Sequence, residues 1–427
     1  MMAVRLASTT SARPFRLLVL SSDTFPPERV DVSVLFGEEL SSRGHTIDWI
    51  LQSGTECSQP YVAEWGSGHV WVARADRGDS LWRRVRKHFA SILHDARVFG
   101  LLRRGAYDAV EVKDKFVSAL FTVLAARLYR KRFIYWLSYP FPEEYLLRAR
   151  DGTARYPLLY RIRGKFSGLL LYRVLLPAAD HVFVQSEQMR RNVASHGIPL
   201  EKMTAVPMGF SAPQFQPAGA TRSVIPAGEP CFLYLGSLAK SRRVDFLLRV
   251  LSRVRRKKPD VKLYLVGCAD DPRDEQELVS EARALGVLDA VVFTGHLPRA
   301  EALRYVQDAD VCVSPLYPTP VFEAASPTKL IEYMAVGKPV VANTQPEQEL
   351  LIREGRCGHC VSYDEDAFAE AILNLLQAPE LAREMGARGR RYALKHRAYG
   401  AIADVVEREM LRVIEQGAPM SVGRNAS

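Results

Sequence analysis

The chain has 427 residues, of which 48% are hydrophobic and 25% are charged. This composition is typical of a globular protein and argues against a disordered one. One hydrophobic core rarely fills so long a chain, so two domains of roughly 200 residues each are expected. No continuous apolar run reaches the roughly 18 residues that a membrane-spanning helix needs.

The first thirteen residues mix Arg, Ser, Thr and Ala without a continuous apolar core, so a cleaved secretory signal is not expected. Six cysteines in so long a chain are typical of reduced thiols in a cytoplasm. Cys357 and Cys360 have redox-motif spacing, but they run into Val361 instead of a helix start, so we do not expect a redox role. We expect a cytoplasmic protein.

The net charge of +10 is concentrated in one part of the chain. Between Leu81 and Arg173 there are 20 Lys and Arg against 7 Asp and Glu. Within this region, Trp82–Phe89 and Tyr160–Leu176 interleave cations with aromatic and aliphatic residues, a texture that suits an anionic membrane surface. We therefore expect a peripheral position at the inner face of the cytoplasmic membrane. A solvated basic face is the alternative, and no nucleic acid is expected as partner because no such binding motif is found.

Strand-like and helix-like runs alternate twice along the chain. The strand-like runs are Arg16–Leu20, Thr46–Leu51, Val70–Ala73, Ala109–Val112, Phe133–Leu137, His181–Val184, Cys231–Leu235, Lys262–Val266, Val291–Phe293, Val311–Val313 and Val340–Ala342. Such alternation predicts an α/β fold with two doubly wound parallel-sheet, Rossmann-like domains facing a cleft. A Pro- and Gly-rich stretch near residue 210 divides the chain into residues 1–209 and 210–427.

Residues 326–343 predict a loop, a helix and a buried strand in that order. Pro327 favours an extended residue before it, and Ser326 and Thr328 can cap the helix start. Gly337 is expected to end the helix, and residues 339–342 to begin a core strand.

A helix start of this kind suits a phosphate. Lys329 adds a cation to the free N–H groups, and Glu332 can offer a carboxylate to sugar hydroxyls. The alternative is an ordinary crossover in which both side chains face water. A second cationic turn, with Lys240 and Arg242, follows the strand that ends at Gly236 and also suits two phosphates.

These spaced motifs resemble those of the glycosyltransferases of family 4, which have the two-domain GT-B fold. The resemblance covers most of Leu233–Leu411 and, more weakly, the N-terminal half. It implies a retaining transfer from a nucleotide sugar without a bound metal or other cofactor. It also implies that residues 210–427 form the donor domain, with a last helix that can cross back to the N-terminal, acceptor-side domain.

By the same resemblance, the donor-binding residues follow the strand ends of the second half and the 326–332 segment. They are Gly236, Ser237, Lys240, Arg242, Gly295, His296, Leu297, Ser326, Thr328, Lys329, Leu330 and Glu332. The candidates nearest the reacting centre are Arg242, Lys329 and Glu323. Glu323 lies one position before the family's first Glu, where this chain has Ala324.

On the acceptor side the resemblance points to Ser138, Tyr139 and Glu143, with Ser138 and Tyr139 standing where the family often has His and Asp. The expected acceptor is a glycan or a polyprenyl-diphosphate-linked saccharide in cell-surface polysaccharide synthesis. Two other functions stay open. A GT-B epimerase would consume its nucleotide sugar without an acceptor, and a non-catalytic assembly partner would bind the nucleotide sugar without turnover.

Overall fold

The computed structural model describes residues 13–57, 59–75, 89–215 and 223–416. The basic segment Trp82–Phe89 falls outside these residues except for Phe89, so its predicted role stays a prediction. No helix of the described residues is long and apolar enough to cross a bilayer.

The N-terminal half forms one eight-stranded sheet in the order β3-β4-β2-β1-β5-β6-β7-β8, in which β3 alone pairs antiparallel. Its strands are β1 (Arg16–Phe25), β2 (Thr46–Ser53), β3 (Tyr61–Trp65), β4 (Gly68–Ala73), β5 (Ala109–Lys113), β6 (Arg132–Leu137), β7 (His181–Val184) and β8 (Met203–Ala205). Its helices are α1 (Asp31–Leu40, with wide π-type turns), α2 (Arg97–Arg104), α3 (Phe116–Leu128), α4 (Phe141–Arg150), α5 (Pro157–Leu170, continued by a π-type turn over Leu171–Leu175), α6 (Leu176–Ala178) and α7 (Glu187–Ala194).

The second half forms a six-stranded, all-parallel sheet in the order β11-β10-β9-β12-β13-β14. Its strands are β9 (Cys231–Leu235), β10 (Lys262–Val266), β11 (Val291–Phe293), β12 (Val311–Ser314), β13 (Val340–Asn343) and β14 (Gly358–Val361). Its helices are α8 (Asp245–Lys257), α9 (Pro272–Ala284), α10 (Arg299–Asp308), α11 (Pro320–Glu323), α12 (Thr328–Val336), α13 (Pro346–Gly355), α14 (Glu365–Gln377), α15 (Pro379–His396) and α16 (Tyr399–Glu415).

Two parallel-sheet α/β domains with helices on both faces confirm the predicted fold class. Every predicted strand is present, but the sequence analysis missed β3, β8 and β14. These three are edge strands of their sheets. Most of their side chains are at least partly exposed, so their sequences lack the continuous apolar runs of the buried central strands. The division at residue 209 stays a prediction.

The last helix, α16, packs against the N-terminal domain. Its apolar side, including Tyr399, Val406 and Met410, lies in the same core as Val19 and Phe36. The chain enters this helix through backbone pairing between Phe210 and Ala398, next to the segment that joins the two sheets.

Polar contacts complete this packing. Arg43 and His45 contact Glu407 at 2.6 and 2.8 Å. The helix α16 is therefore part of the N-terminal domain's core, and it connects the two domains.

One carboxyl in the N-terminal core lacks a partner. Glu111 lies in the central strand β5, fully buried between Val19 and Ile134 of the adjacent strands. Neither carboxyl oxygen has a hydrogen-bond partner among the residues that the structure describes. Burial raises the pKa of Glu111 to about 8, although the nearby Lys113 opposes the rise. The neutral acid is thus the stable form in the folded chain at neutral pH.

We expect Glu111→Gln to stabilise the protein at high pH. Between about pH 4.5 and 8 the unfolded chain loses a proton that the folded chain keeps. The ionisation of Glu111 should therefore lower the wild-type free energy of unfolding by up to about 1.4 kcal/mol per pH unit in this range. The amide cannot ionise, so the variant lacks this loss. Urea unfolding of both proteins at pH 5 and pH 8 measures the effect. A stability difference that does not change between the two pH values would show that Glu111 does not titrate in this range.

Candidate functional site

The carboxyl ends of β9, β10 and β11 meet at one edge of the C-terminal sheet, and glycines bring them close together. Gly236 and Gly267 have φ values of +144° and +136°. A Cβ atom at Gly267 would lie 2.3 Å from the carbonyl oxygen of Gly236, so a side chain cannot be accommodated there. Gly267 in turn pairs with Gly295 after β11. The glycines leave the three strand ends open to a ligand's close approach.

A cleft of about 320 Å³ opens at this edge, within the range of small-molecule sites. We call it the C-terminal cleft. Its lining comes from the strand ends and the turns that follow them: Leu235, Gly236, Ser237, Val266, Gly267, Cys268, Asp270, His296, Leu297 and Ala302. The structure therefore brings together four of the predicted donor residues, Gly236, Ser237, His296 and Leu297, and places Gly295 beside them.

Lys329 reaches the same edge from α12. Its ammonium donates to the Tyr234 hydroxyl at 2.8 Å and lies 4.4 Å from the centre of that ring. A Cβ atom built on Gly236 would lie 3.0 Å from the Lys329 Nζ, so the cation sits directly over the Gly236 turn. Among the described residues Lys329 has no ion pair, in contrast to Lys113, which pairs with Asp31 at 2.7 Å. A neutral hydroxyl leaves the charge of Lys329 available to an anion.

The start of α12 is open. No side chain caps it, and its first residue is Thr328. The predicted capping by Ser326 and Thr328 is wrong. The Ser326 hydroxyl instead accepts a hydrogen bond from the backbone N–H of Met208, at 3.0 Å, in the segment that joins the domains. Gly337 ends the helix with φ +89°, as predicted. The open first turn can offer N–H groups to a phosphate.

Glu332 does not face water, so the alternative of an ordinary crossover is wrong for this residue. Its side chain is 9% exposed, and Arg299 of α10 donates to it at 2.7 Å. Burial raises the pKa of Glu332, while the charges of Arg299 and Lys329 oppose the rise. A buried carboxylate with a cationic partner is held in one position, which suits an oriented hydrogen bond to a ligand.

The two predicted cations of the β9–α8 turn point to different surroundings. Lys240 is exposed and pairs with Glu277 of α9 at 2.7 Å. The Arg242 guanidinium lies 5.7 Å from the centre of the Phe322 ring. Burial and the Glu144 carboxylate raise the pKa of Tyr139, and the charge of Arg242 opposes the rise. The charge of Arg242 is therefore felt at Tyr139 of the N-terminal domain.

The predicted residues that precede and follow Lys329 lie in three different surroundings. Glu323 is exposed, at the end of the short helix α11. The backbone around it is held by Gln345, whose amide donates to the carbonyls of Phe322, Glu323 and Ala325 at 2.9 to 3.1 Å. Thr328 is half-buried, whereas the Leu330 side chain lies fully in the core. Leu330 can therefore contact a ligand only through its backbone.

On the opposite wall, the N-terminal domain carries a buried charge cluster at the carboxyl ends of β1, β5 and β6. Lys113 pairs with Asp31 at 2.7 Å, and Arg29 pairs with the same carboxylate at 2.9 Å. Burial alone would raise the pKa of Asp31, but the charges of Lys113 and Arg29 lower it to about 2. The cluster thus keeps Asp31 ionised.

The predicted acceptor-side residue Ser138 belongs to this cluster. Its backbone N–H donates to Asp114 at 2.9 Å, its hydroxyl donates to the same carboxylate, and Arg29 donates to the hydroxyl at 3.2 Å. Burial raises the pKa of Asp114 to about 6, although Lys113 opposes the rise. Glu143 instead accepts from Tyr172 at 2.8 Å, between α4 and the continuation of α5.

Sequence reasoning missed Tyr234, Arg299 and Asp114. Arg299 lies 33 positions before Glu332, so no local pattern links the pair. Tyr234 was a signal that could have been used, because a polar hydroxyl in an otherwise apolar strand usually has a buried partner. The catalytic, donor and acceptor roles of the predicted residues stay predictions.

Comparisons with known proteins agree with this geometry. Residues 34–209 match the family described as "Glycosyl transferase 4-like domain", and residues 229–378 match "Glycosyl transferases group 1". A GDP-mannose-dependent α-(1-6)-phosphatidylinositol monomannoside mannosyltransferase of Mycolicibacterium smegmatis is 30% identical over 224 residues, which are 51% of this chain and 58% of that relative. A D-inositol 3-phosphate glycosyltransferase of Segniliparus rotundus is 28% identical over 195 residues, which are 44% of this chain and 42% of that relative.

A solved structure shares the fold over nearly the whole chain. Sucrose-phosphate synthase from Thermosynechococcus elongatus matches with a TM-score of 0.73 and 20% identity, over 94% of this chain and all of that one. The two matched families lie one after the other and each covers one of the two parallel-sheet domains. The chain belongs to the family 4-like glycosyltransferases of the GT-B fold.

Proposed function

We propose that this protein transfers a sugar from a nucleotide-sugar donor to a saccharide or lipid-linked acceptor, with retention of the anomeric configuration. The position of Lys329 carries the proposal. This cation, which has no ion pair with any described residue, lies over the Gly236 turn, beside an open helix start and a cleft large enough for part of a nucleotide. This arrangement suits the diphosphate of a nucleotide sugar.

The charge of the site suits the leaving group. When the bond between the anomeric carbon and the diphosphate oxygen breaks, the diphosphate keeps the electron pair. Lys329, Arg242 and the N–H groups at the start of α12 can stabilise the charge that develops there. We propose that these groups act without a bound metal or other cofactor. Glu323, which is exposed beside this region, is proposed to contact sugar hydroxyls.

The base and ribose of the donor would occupy the side of the C-terminal cleft nearer β11. Gly295, His296 and Leu297 follow that strand, and the last two line the cleft. Glu332 is proposed to bind the ribose hydroxyls, with Arg299 holding it in place at 2.7 Å.

The acceptor would enter from the N-terminal domain, past Ser138 and Tyr139. We propose a glycan or polyprenyl-diphosphate-linked acceptor used in cell-surface polysaccharide synthesis, met at the inner face of the cytoplasmic membrane. The name of the M. smegmatis relative, which specifies a phosphatidylinositol monomannoside, supports a lipid-linked acceptor.

A panel of nucleotide sugars tests the donor assignment. At about 100 times its dissociation constant, the true donor should stabilise the protein by about 2.7 kcal/mol, measured as a shift in thermal unfolding. Lys329→Ala should lower turnover by about 10²-fold and change the Michaelis constant less, because it removes charge stabilisation from the leaving group. Arg242→Ala should act in the same direction.

Lys257→Ala is the matched control, since Lys257 is exposed in the last turn of α8, which runs away from the cleft. Its kinetics should equal those of the wild type. A purely higher Michaelis constant in both cleft variants would assign Lys329 and Arg242 to ground-state binding. Donor binding without any turnover in the wild type would instead favour the assembly-partner function.

Glu332→Gln should weaken donor binding by about 10- to 100-fold, the equivalent of a charge-assisted hydrogen bond worth about 1.5–3 kcal/mol. The amide oxygen can still accept from Arg299, so stability without ligand should change by less than about 1 kcal/mol. Isothermal titration with the donor and unfolding without it separate the two effects. Unchanged donor affinity would refute the ribose assignment.

Turnover should survive a chelator, because side-chain cations and helix N–H groups are proposed to stabilise the leaving group. Initial rates before and after EDTA treatment measure this. Complete loss of activity in EDTA, recovered on adding manganese, would contradict the proposed metal-independent reaction.

A further inference from the structure

The N-terminal domain exposes an unusual amount of apolar surface on two neighbouring helices. On α5, Leu158, Ile162, Phe166 and Leu169 are 71%, 58%, 64% and 62% exposed. Their spacing of four, four and three residues places them in one stripe along the helix. An apolar stripe on the outside of a folded domain is typical of an interaction surface.

The helix α3 carries a second stripe of the same kind. Val117, Leu120, Leu124 and Leu128 are 47%, 41%, 61% and 63% exposed, again three or four residues apart. The buried residues of α3 and of the α5 continuation lie in the same core, on one face of the sheet. The continuation of α5 over Leu171–Leu175 contacts α3 there. We call the two exposed stripes together the outer apolar face.

The charged residues of α3 and of α5 are all basic. Residues 115–142 and 152–179 contain no Asp or Glu. Helical geometry places Arg161 and Lys165 along one border of the α5 stripe. The exposed cations of these segments are Arg127, Arg130, Arg155, Arg161, Arg163, Lys165 and Arg173, of which Arg127 lies 3.9 Å from Asp180. Two helices that carry exposed apolar residues and cations, but no acids of their own, match the surface of an anionic bilayer better than that of a neutral protein partner.

The chain path places α5 next to the cleft between the domains. The end of α5 leads, through its continuation, to the start of β7, and α4 runs antiparallel to α5. Three contacts show this pairing: Tyr145 packs on Tyr160, Pro142 lies against Gly168, and Glu143 accepts from Tyr172. Since α4 begins where β6 ends, it rises past the carboxyl edge of the sheet, and the first turns of α5 lie beyond that edge.

Close packing fixes this α4–α5 hairpin. A Cβ atom at Gly164 would lie 2.8 Å from the Leu146 side chain, so the glycine lets the two helices approach. At the turn between the helices, the exposed Tyr156 lies against Arg155, whose guanidinium is 5.5 Å from the ring centre. Aromatic and cationic side chains of this kind are enriched at the level of lipid headgroups.

We propose that the outer apolar face inserts into an anionic lipid bilayer and holds the mouth of the interdomain cleft at the membrane surface. The proposal deepens the proposed function, on which it rests for the membrane-borne acceptor. Attachment then depends on apolar insertion by α3 and α5, with the flanking cations adding attraction, and does not require the basic segment Trp82–Phe89. Of the leucines Leu169, Leu170 and Leu171, the first belongs to this face and the other two are core residues.

Vesicle flotation of the full chain tests the proposal, with vesicles of phosphatidylcholine alone or containing roughly 30% phosphatidylglycerol. The wild type should float with the anionic vesicles and remain partly bound at high salt, because apolar insertion is not screened. The triple variant Ile162→Ser, Phe166→Ser, Leu169→Ser should lower the partition coefficient about tenfold or more. All three positions are exposed, so the fold should not depend on them.

The matched control replaces Leu381 and Leu394, two exposed leucines of α15 in the other domain, by Ser. This variant should bind vesicles like the wild type. Equal vesicle binding by the triple variant, or no binding by the wild type, would overturn the proposal. A wild-type dimer that the triple variant converts to monomer in sedimentation velocity would show that a second copy covers the face, which also overturns it.

Donor binding measured in solution keeps this test separate from that of the proposed function. The triple variant should be stabilised by the same nucleotide sugar as the wild type. If no nucleotide sugar binds either protein but the triple variant loses vesicle binding as expected, the donor assignment is wrong and the proposed membrane-binding face is supported. If donor binding is normal and vesicle binding is absent, only the membrane surface fails.

Discussion

The site depends on one constraint: the carboxyl edges of two separate sheets must face each other across one cleft. The last helix supplies much of that constraint, because its apolar side belongs to the core of the N-terminal domain while the residues before it belong to the C-terminal domain. Two hydrogen bonds between the halves act at the cleft itself. Ser186 donates to the carbonyl of Ala324 at 2.7 Å, and Ser326 accepts from Met208. These bonds fix the loop that leads into α12, so the position of Lys329 depends on the contact between the domains.

The electrostatic pattern distinguishes cations that stabilise the fold from cations that can meet a ligand. Arg397 pairs with Glu347 at 2.5 Å, and both side chains are buried. Lys113 likewise has a carboxylate partner in a buried cluster. These charges are compensated within the protein, since an unpaired buried charge is costly. Lys329 differs because its partner is the neutral Tyr234 hydroxyl. The tyrosine holds the ammonium in place without neutralising its charge. Under this condition the attraction between the ammonium and a bound diphosphate is strongest.

Much of the fold could be predicted from the sequence because the central strands of parallel sheets are continuous apolar runs. His181–Val184 and Cys231–Leu235 coincide with observed strands for this reason. The site was predictable where its geometry is local: Gly337 ends α12, and the glycines at the strand ends line one cleft. It was not predictable where partners come from distant segments. The Ser326 hydroxyl could cap its own helix or bond across the domain boundary, and only the tertiary structure decides between these.

The N-terminal wall shows how two neighbouring strand ends fix one buried carboxyl. Ser138 stands where the resemblance leads one to expect a histidine, and a serine cannot exchange a proton near neutral pH. Its hydroxyl and N–H both donate to Asp114, which ends β5 with φ +56°, a conformation that a non-glycine residue keeps only when its surroundings fix it. Burial raises the pKa of this carboxyl to about 6. A titratable carboxyl therefore follows β5 at this edge, and Ser138, which follows the neighbouring strand β6, holds it in place.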